Sequence, residues 1–134
     1  MADKYLLHPL ETYRHYDTPC DKALVKDYED ALEARSGGAA ATMDPKFKEQ
    51  YASKVGALIY VVPVSRVDCA YTIGVLARCL TFPTSAMSAA ADRCLAYLAQ
   101  HPDDGIIYDS KSSIDLDLRA YSCLLYTSPS PRDA

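Results

Sequence analysis

The residue types able to do chemistry in this chain are its paired carboxylates, three histidines and five cysteines. Asp103 and Asp104 are adjacent, and Asp115 and Asp117 are two apart. Paired carboxylates can hold two divalent ions that stabilise the attacking and leaving oxygens of a displacement. Neither pair suits that task. Asp103 and Asp104 run into Gly105 without a preceding strand, which reads as a turn, and Asp115 and Asp117 fall on one side of a strand-like stretch, where they would be solvated. His8 and His15 are seven residues apart, but Pro9 breaks any helix that would align them, and His101 lies in a loop. Cys20, Cys69, Cys79, Cys94 and Cys123 contain no C-x-x-C pair, so the thiols read as small core hydrophobes rather than zinc ligands. No phosphate-cradling glycine loop or nucleophile elbow is present. The expectation is therefore a chain with no catalytic residues and no metal ligands.

A binding surface is a different matter. At about 100° per residue, Ala52, Gly56 and Tyr60 share a helical track turned away from the apolar positions, with Glu49 and Ser53 beside it. Small residues followed by an aromatic make a flat face. A glycine inside a helix costs roughly 1 kcal/mol relative to alanine, so another body should approach the backbone there. From the residues alone, packing of a second helix on Gly56 is the favoured reading. Arg66 and Asp68 are two residues apart, and a simple ion pair would account for both. Arg93 sits on the polar flank of its helix, suited to solvent or to a domain contact.

The elements that position these groups follow from local signals. Asp44 caps a helix with Pro45 at its first position, and Pro63 ends it. Phe47, Tyr51, Val55, Leu58 and Val62 form its apolar stripe, with Lys54 near the edge. A second helix is predicted from Ser65, with Asp68 completing a capping box, up to Pro83. It is apolar nearly all round. A third follows Thr84, its apolar face made by Met87, Ala90, Ala91, Cys94, Leu95 and Leu98, and it stops before His101 and Pro102. GIIYD then reads as a short strand, and Asp115 to Tyr121 as a second. Upstream, a short helix gives way to an extended connection at Thr18 and Pro19, Asp27 to Arg35 is helical but polar, and RSGGAAATM is a linker.

The bulk properties narrow the class. With 134 residues, 49% of them hydrophobic and 24% charged, the chain has the composition of one soluble domain. No apolar run approaches a membrane span or a signal peptide, and the scattered cysteines suit a reducing interior, so an intracellular location is expected, which the resemblance given below would make the cytoplasm and nucleus of a host cell. A net charge of -4 lacks the overall basic signature of an autonomous nucleic-acid binder.

In chain order, YASKVGALIY, SRVDCAYTIGVLARCL, FPT, AAADRCLAYL and DDGIIY stand between residues 51 and 108. Each piece is weak alone, but the five in register resemble the block that follows the palm in the reverse transcriptase of copia-type LTR retrotransposon Pol polyproteins. Thr18 and Pro19 are similar to the connection upstream of that block, and LRAYS to the first ribonuclease H strand. Val67 stands where that family usually has proline, Met87 and Ser88 where it favours histidine and tryptophan, and Ala96 where it often has a basic residue, departures that suit a decayed copy. The resemblance implies a thumb helix lying along the minor groove of a template–primer duplex, with Ala52, Lys54, Gly56, Tyr60 and Arg66 as nucleic-acid contacts, Lys54 and Arg66 reaching phosphates. It implies RNA–DNA or DNA duplex as the partner through the parent polyprotein, with no membrane and no small-molecule substrate. It also implies Mg2+ for the parent polymerase, while no cofactor is expected in this stretch, whose paired metal-binding carboxylates would lie to either side.

The architecture so predicted is α+β: a mostly helical, thumb-like bundle of three main helices, followed by a short β-hairpin opening an incomplete ribonuclease H sheet. Residues 1–43 would connect, 44–101 form the thumb-like region and 102–122 supply the first strands. Residues 123–134 break the pattern. CLLYTSPSPRD resembles the translation of an adaptor used in transposase-based sequencing libraries, which would end the native sequence near Ser122 and leave the remainder disordered. The parent would be an RNA-directed DNA polymerase with ribonuclease H, and this part inactive by itself. The alternative is a small helical interaction module of a host protein with no nucleic-acid role.

Overall fold

A computed structural model of the chain describes residues 2–6, 8–38 and 44–107. Four α-helices carry the architecture among these residues: α1 (Leu24–Ser36), α2 (Pro45–Val61), α3 (Ala70–Arg78) and α4 (Ser85–Gln100). Short 3-10 turns at Ala2–Tyr5, Leu10–Thr12 and Val67–Cys69 join or flank them. Helix α4 is the hub, touching α1, α2, α3 and the first turn.

Local chemistry explains where the helices begin. The Asp44 carboxylate accepts from the Lys46 N–H at 3.0 Å, and Pro45 occupies the first position of α2. Thr84 does the same for α4, its hydroxyl accepting from the Met87 N–H at 3.3 Å. The end of α1 is set by Gly38, whose φ of 81° is a left-handed conformation that side chains disfavour. Its N–H donates to the Arg35 carbonyl at 3.1 Å.

The core forms where the apolar stripes meet. Tyr51, Val55 and Leu58 of α2 are buried with Ile73 and Leu76 of α3 and with Met87, Ala91, Cys94 and Leu95 of α4. Full burial of one such aliphatic side chain is worth on the order of 2 kcal/mol. Cys69, Cys79 and Cys94 are buried there as free thiols. Helix α1, expected as a polar helix over Asp27 to Arg35, joins the same core through Leu24 and Ala31.

The structure corrects the predicted α+β class. The described residues are helical and contain no strand, and the bundle has four α-helices rather than three main ones. Gly105 to Ile107, the start of the expected hairpin, is irregular and exposed. The reason is a competing partner: the Ile106 N–H donates to the Ser65 carbonyl at 3.0 Å instead of entering a strand ladder. Gly105 permits that approach, since a Cβ there would come within 3.0 Å of the same oxygen. The second expected strand, the ribonuclease H opening, Asp115, Asp117, Cys123 and the adaptor-like stretch lie outside the described residues.

A second correction concerns the start of the middle helix. Ser65 caps nothing; a 3-10 turn at Val67–Cys69 precedes α3, and Asp68 reaches Arg66 instead of an amide of a capping box. Nor is α3 buried all round, because Tyr71, Gly74 and Arg78 face outward.

Candidate nucleic-acid interface

Helix α2 presents two unlike faces. Outward, Ala52, Gly56 and Tyr60 recur at i, i+4 and i+8 and are all exposed, as are Glu49 and Ser53 beside them. Tyr60 is 75% accessible. A Cβ added at Gly56 would meet nothing within 4 Å, so no neighbouring helix of the described residues packs against that glycine. Among the described residues, then, internal helix packing does not account for Gly56, and the strip there is open and ends in a phenol.

Inward, the same helix carries a cation. Lys54 Nζ lies 2.7 Å from Asp92 Oδ1 of α4, with both side chains about nine-tenths buried. It also donates to Ser88 Oγ at 3.3 Å. Asp92 Oδ1 has no partner of hydrogen-bonding geometry, so the close approach of the ammonium is Coulombic rather than directional. The ion pair ties α2 to α4 and fixes the rotation of α2 that turns Gly56 outward.

Arg66 is likewise engaged. Its guanidinium forks onto Asp68, Nε to Oδ1 at 3.2 Å and Nη2 to Oδ2 at 3.0 Å, while Nη1 donates to the His101 carbonyl. The Tyr97 hydroxyl donates to Asp68 Oδ2 at 2.9 Å, and the guanidinium carbon lies 5.5 Å from the centre of the Tyr97 ring. The hydrogen bonds from Arg66 hold the Asp68 carboxyl below the usual aspartate range, and the same contact raises Arg66. Burial, then its bond to Asp68, pushes the Tyr97 phenol up.

Of the five residues expected at the interface, the structure gathers Ala52, Gly56 and Tyr60 on one exposed strip, pairs Lys54 with Asp92 inside the bundle and pairs the buried Arg66 with the more exposed Asp68. An exposed ammonium is supplied instead by Lys4, which lines a surface cavity together with Tyr60. Sequence reading missed Lys4 because it lies far from α2 along the chain. The Lys54–Asp92 pair carried a signal that could have been used. Lys54 sits between Tyr51 and Leu58 in one apolar arc and Asp92 between Ala91 and Leu95 in another, so opposite charges occupied two core faces.

The remaining candidates do structural work. Arg93 binds Asp21 at 3.2 Å and Thr18 Oγ1 at 3.0 Å, with Tyr16 beneath it. His101 Nε2 meets the Tyr16 carbonyl at 2.8 Å, and Nδ1 lies 3.3 Å from Asp104. Gln100 accepts from the Tyr16 N–H and donates to the Arg14 carbonyl, so α4 holds the whole N-terminal connection. His8 lies beside the Tyr13 ring and His15 is 3.4 Å from Asp17. Among the described residues no three His, Cys, Asp or Glu side chains gather as a metal site, and no helix is long and apolar enough to cross a membrane.

No family model, curated protein or solved structure matches the chain. What the arrangement offers is a flat, exposed helical strip with an aromatic end.

Proposed function

We propose that this chain is the thumb-like part of a copia-type Pol polyprotein and that it grips a template–primer duplex for an RNA-directed DNA polymerase whose metal-binding carboxylates lie elsewhere in the parent. The observation that carries the reading is Gly56, a mid-helix glycine that no other described residue packs against. Ala52 on the same track keeps the strip low, and Tyr60 offers a ring to sugar or base edges. The five motifs in family order supply the identity of the partner. The buried Lys54–Asp92 pair and the half-buried Arg66–Asp68 pair act here by orienting the strip and its flanking turn. Mg2+ would belong to the parent's catalytic carboxylates.

Fluorescence anisotropy with a labelled RNA–DNA hybrid tests the reading. The expected result is a weak affinity that falls as salt rises and drops at least tenfold in Gly56→Glu, with no nucleotide incorporation or hybrid cleavage by the isolated chain in Mg2+ or Mn2+. Hybrid binding that ignores Gly56→Glu, or no binding at low salt, overturns it and favours the protein-interaction module, to which the net charge of -4 is better suited.

A further inference from the structure

Beside the outward strip of α2 lies a cavity of about 440 Å³, walled by α2, α4 and the N-terminal turn. That volume is within the range of small-molecule clefts, about 300–1,000 Å³. Two tyrosines, Tyr5 and Tyr60, stand in its lining, with Leu98 from α4 and Ala57 from α2. The polar residues Lys4 and Ser65 line the same cavity. Lys4 is exposed, and its ammonium lies 5.0 Å from the centre of the Tyr5 ring.

These groups match the parts of a nucleotide. Aromatic rings stack on a base without regard to its identity, an exposed ammonium meets its phosphate, and a serine hydroxyl can donate to or accept from a base edge. Leu98 and Ala57 give the apolar surface that excludes water from a stacked ring. Position supplies the remaining argument. Tyr60 belongs both to the cavity lining and to the outward strip, so a strand lying on Ala52 and Gly56 reaches the cavity without leaving the helix.

We infer that this cavity receives one unpaired nucleotide continuous with the duplex held on α2. The inference rests on the thumb reading above and adds to it a preference for an end with a single-stranded extension. Of the two basic residues in the lining, Arg66 is already paired with Asp68, which leaves Lys4 as the one to meet a phosphate.

Anisotropy titrations of the full chain with two hybrids, one blunt and one carrying a three-nucleotide extension, give the ratio of affinities that reads the cavity alone. The extended hybrid should bind about tenfold more tightly, the scale of one base stacked on an aromatic. Ala57→Trp, which fills the cavity, and Lys4→Glu, at an exposed position, should each bring the ratio to about one, with circular dichroism confirming that both variants remain helical. A ratio near one in the unaltered chain, or a ratio unchanged in both variants, overturns the cavity while leaving the strip intact. Failure of both hybrids to bind overturns the thumb reading and the cavity with it.

Discussion

The two faces of α2 solve opposite problems within one 17-residue helix. Its inner face buries Tyr51, Lys54, Val55 and Leu58, and every polar atom of that set is engaged: the Tyr51 hydroxyl donates to the Leu76 carbonyl at 2.6 Å, and Lys54 meets Asp92 and Ser88. Its outer face is exposed at Ala52, Gly56 and Tyr60 and keeps a glycine where alanine would make a better helix. The inner face is therefore expected to be intolerant of change, and the outer face to gain stability when its glycine is replaced. A helix built only for stability would show no such asymmetry. The contrast also explains why charge is a poor guide here, since Lys54 is closer in sequence to the outer strip than to its partner Asp92, yet belongs to the core.

The largest test of the contrast is on the inner face. Asp92→Ala leaves the Lys54 ammonium buried without its counter-charge and should destabilise the chain by about 3–5 kcal/mol, measured by urea denaturation. The paired replacement Lys54→Met with Asp92→Leu removes both charges and should return to within about 1 kcal/mol of the starting stability. A single-variant loss below about 1 kcal/mol would mean that water reaches the pair, and the inner face would no longer differ from the outer in kind.

An intermediate effect is expected at Arg66 and Asp68, where one side chain is buried and the other is 38% exposed. Because the folded-state value of Asp68 lies below the ordinary 3.8, the contribution of this carboxylate is complete above about pH 4 and is lost as pH falls through the depressed value. Asp68→Asn should cost about 1–2 kcal/mol at neutral pH after allowance for solvent screening. It should also flatten the fall in stability below pH 4. An acid limb identical in the two chains would show that Asp68 titrates as a free surface group.

The smallest effect is on the outer face and has the opposite sign. Gly56→Ala should stabilise the chain by about 0.5–1 kcal/mol, because the added methyl meets open space and alanine is the better helix former. In the same variant hybrid affinity should fall. Lower stability in Gly56→Ala would reveal an internal contact at that position and remove the asymmetry on which the proposed grip depends.

The outer strip was fully legible from spacing, since Ala52, Gly56 and Tyr60 needed only the helical repeat to be placed together. The phosphate-contact role expected for Lys54 and Arg66 was read from charge, which says nothing of burial; each finds a carboxylate instead, one 38 residues away in the numbering and the other two residues away. The strand expected at GIIYD is absent over its described residues, Gly105 to Ile107, for a related reason. Two adjacent isoleucines and a glycine turn suit a strand end, but a strand exists only where a neighbour offers a ladder, and here Ser65 offers a single carbonyl.

By itself the sequence determined the helix starts at Asp44 and Thr84, the stop near Pro63 and the apolar faces of α2 and α4. Those features depend on dihedral preferences, local hydrogen bonds and periodicity, all acting within a few residues. Only the tertiary structure decided that α1 enters the core, that Lys54 and Arg66 are neutralised inside, that Gly56 stays open and that Tyr5 meets the same cavity as Tyr60. These depend on which distant groups share a low-dielectric interior, where an unpaired charge costs several kcal/mol and the partner is chosen by packing rather than by proximity along the chain.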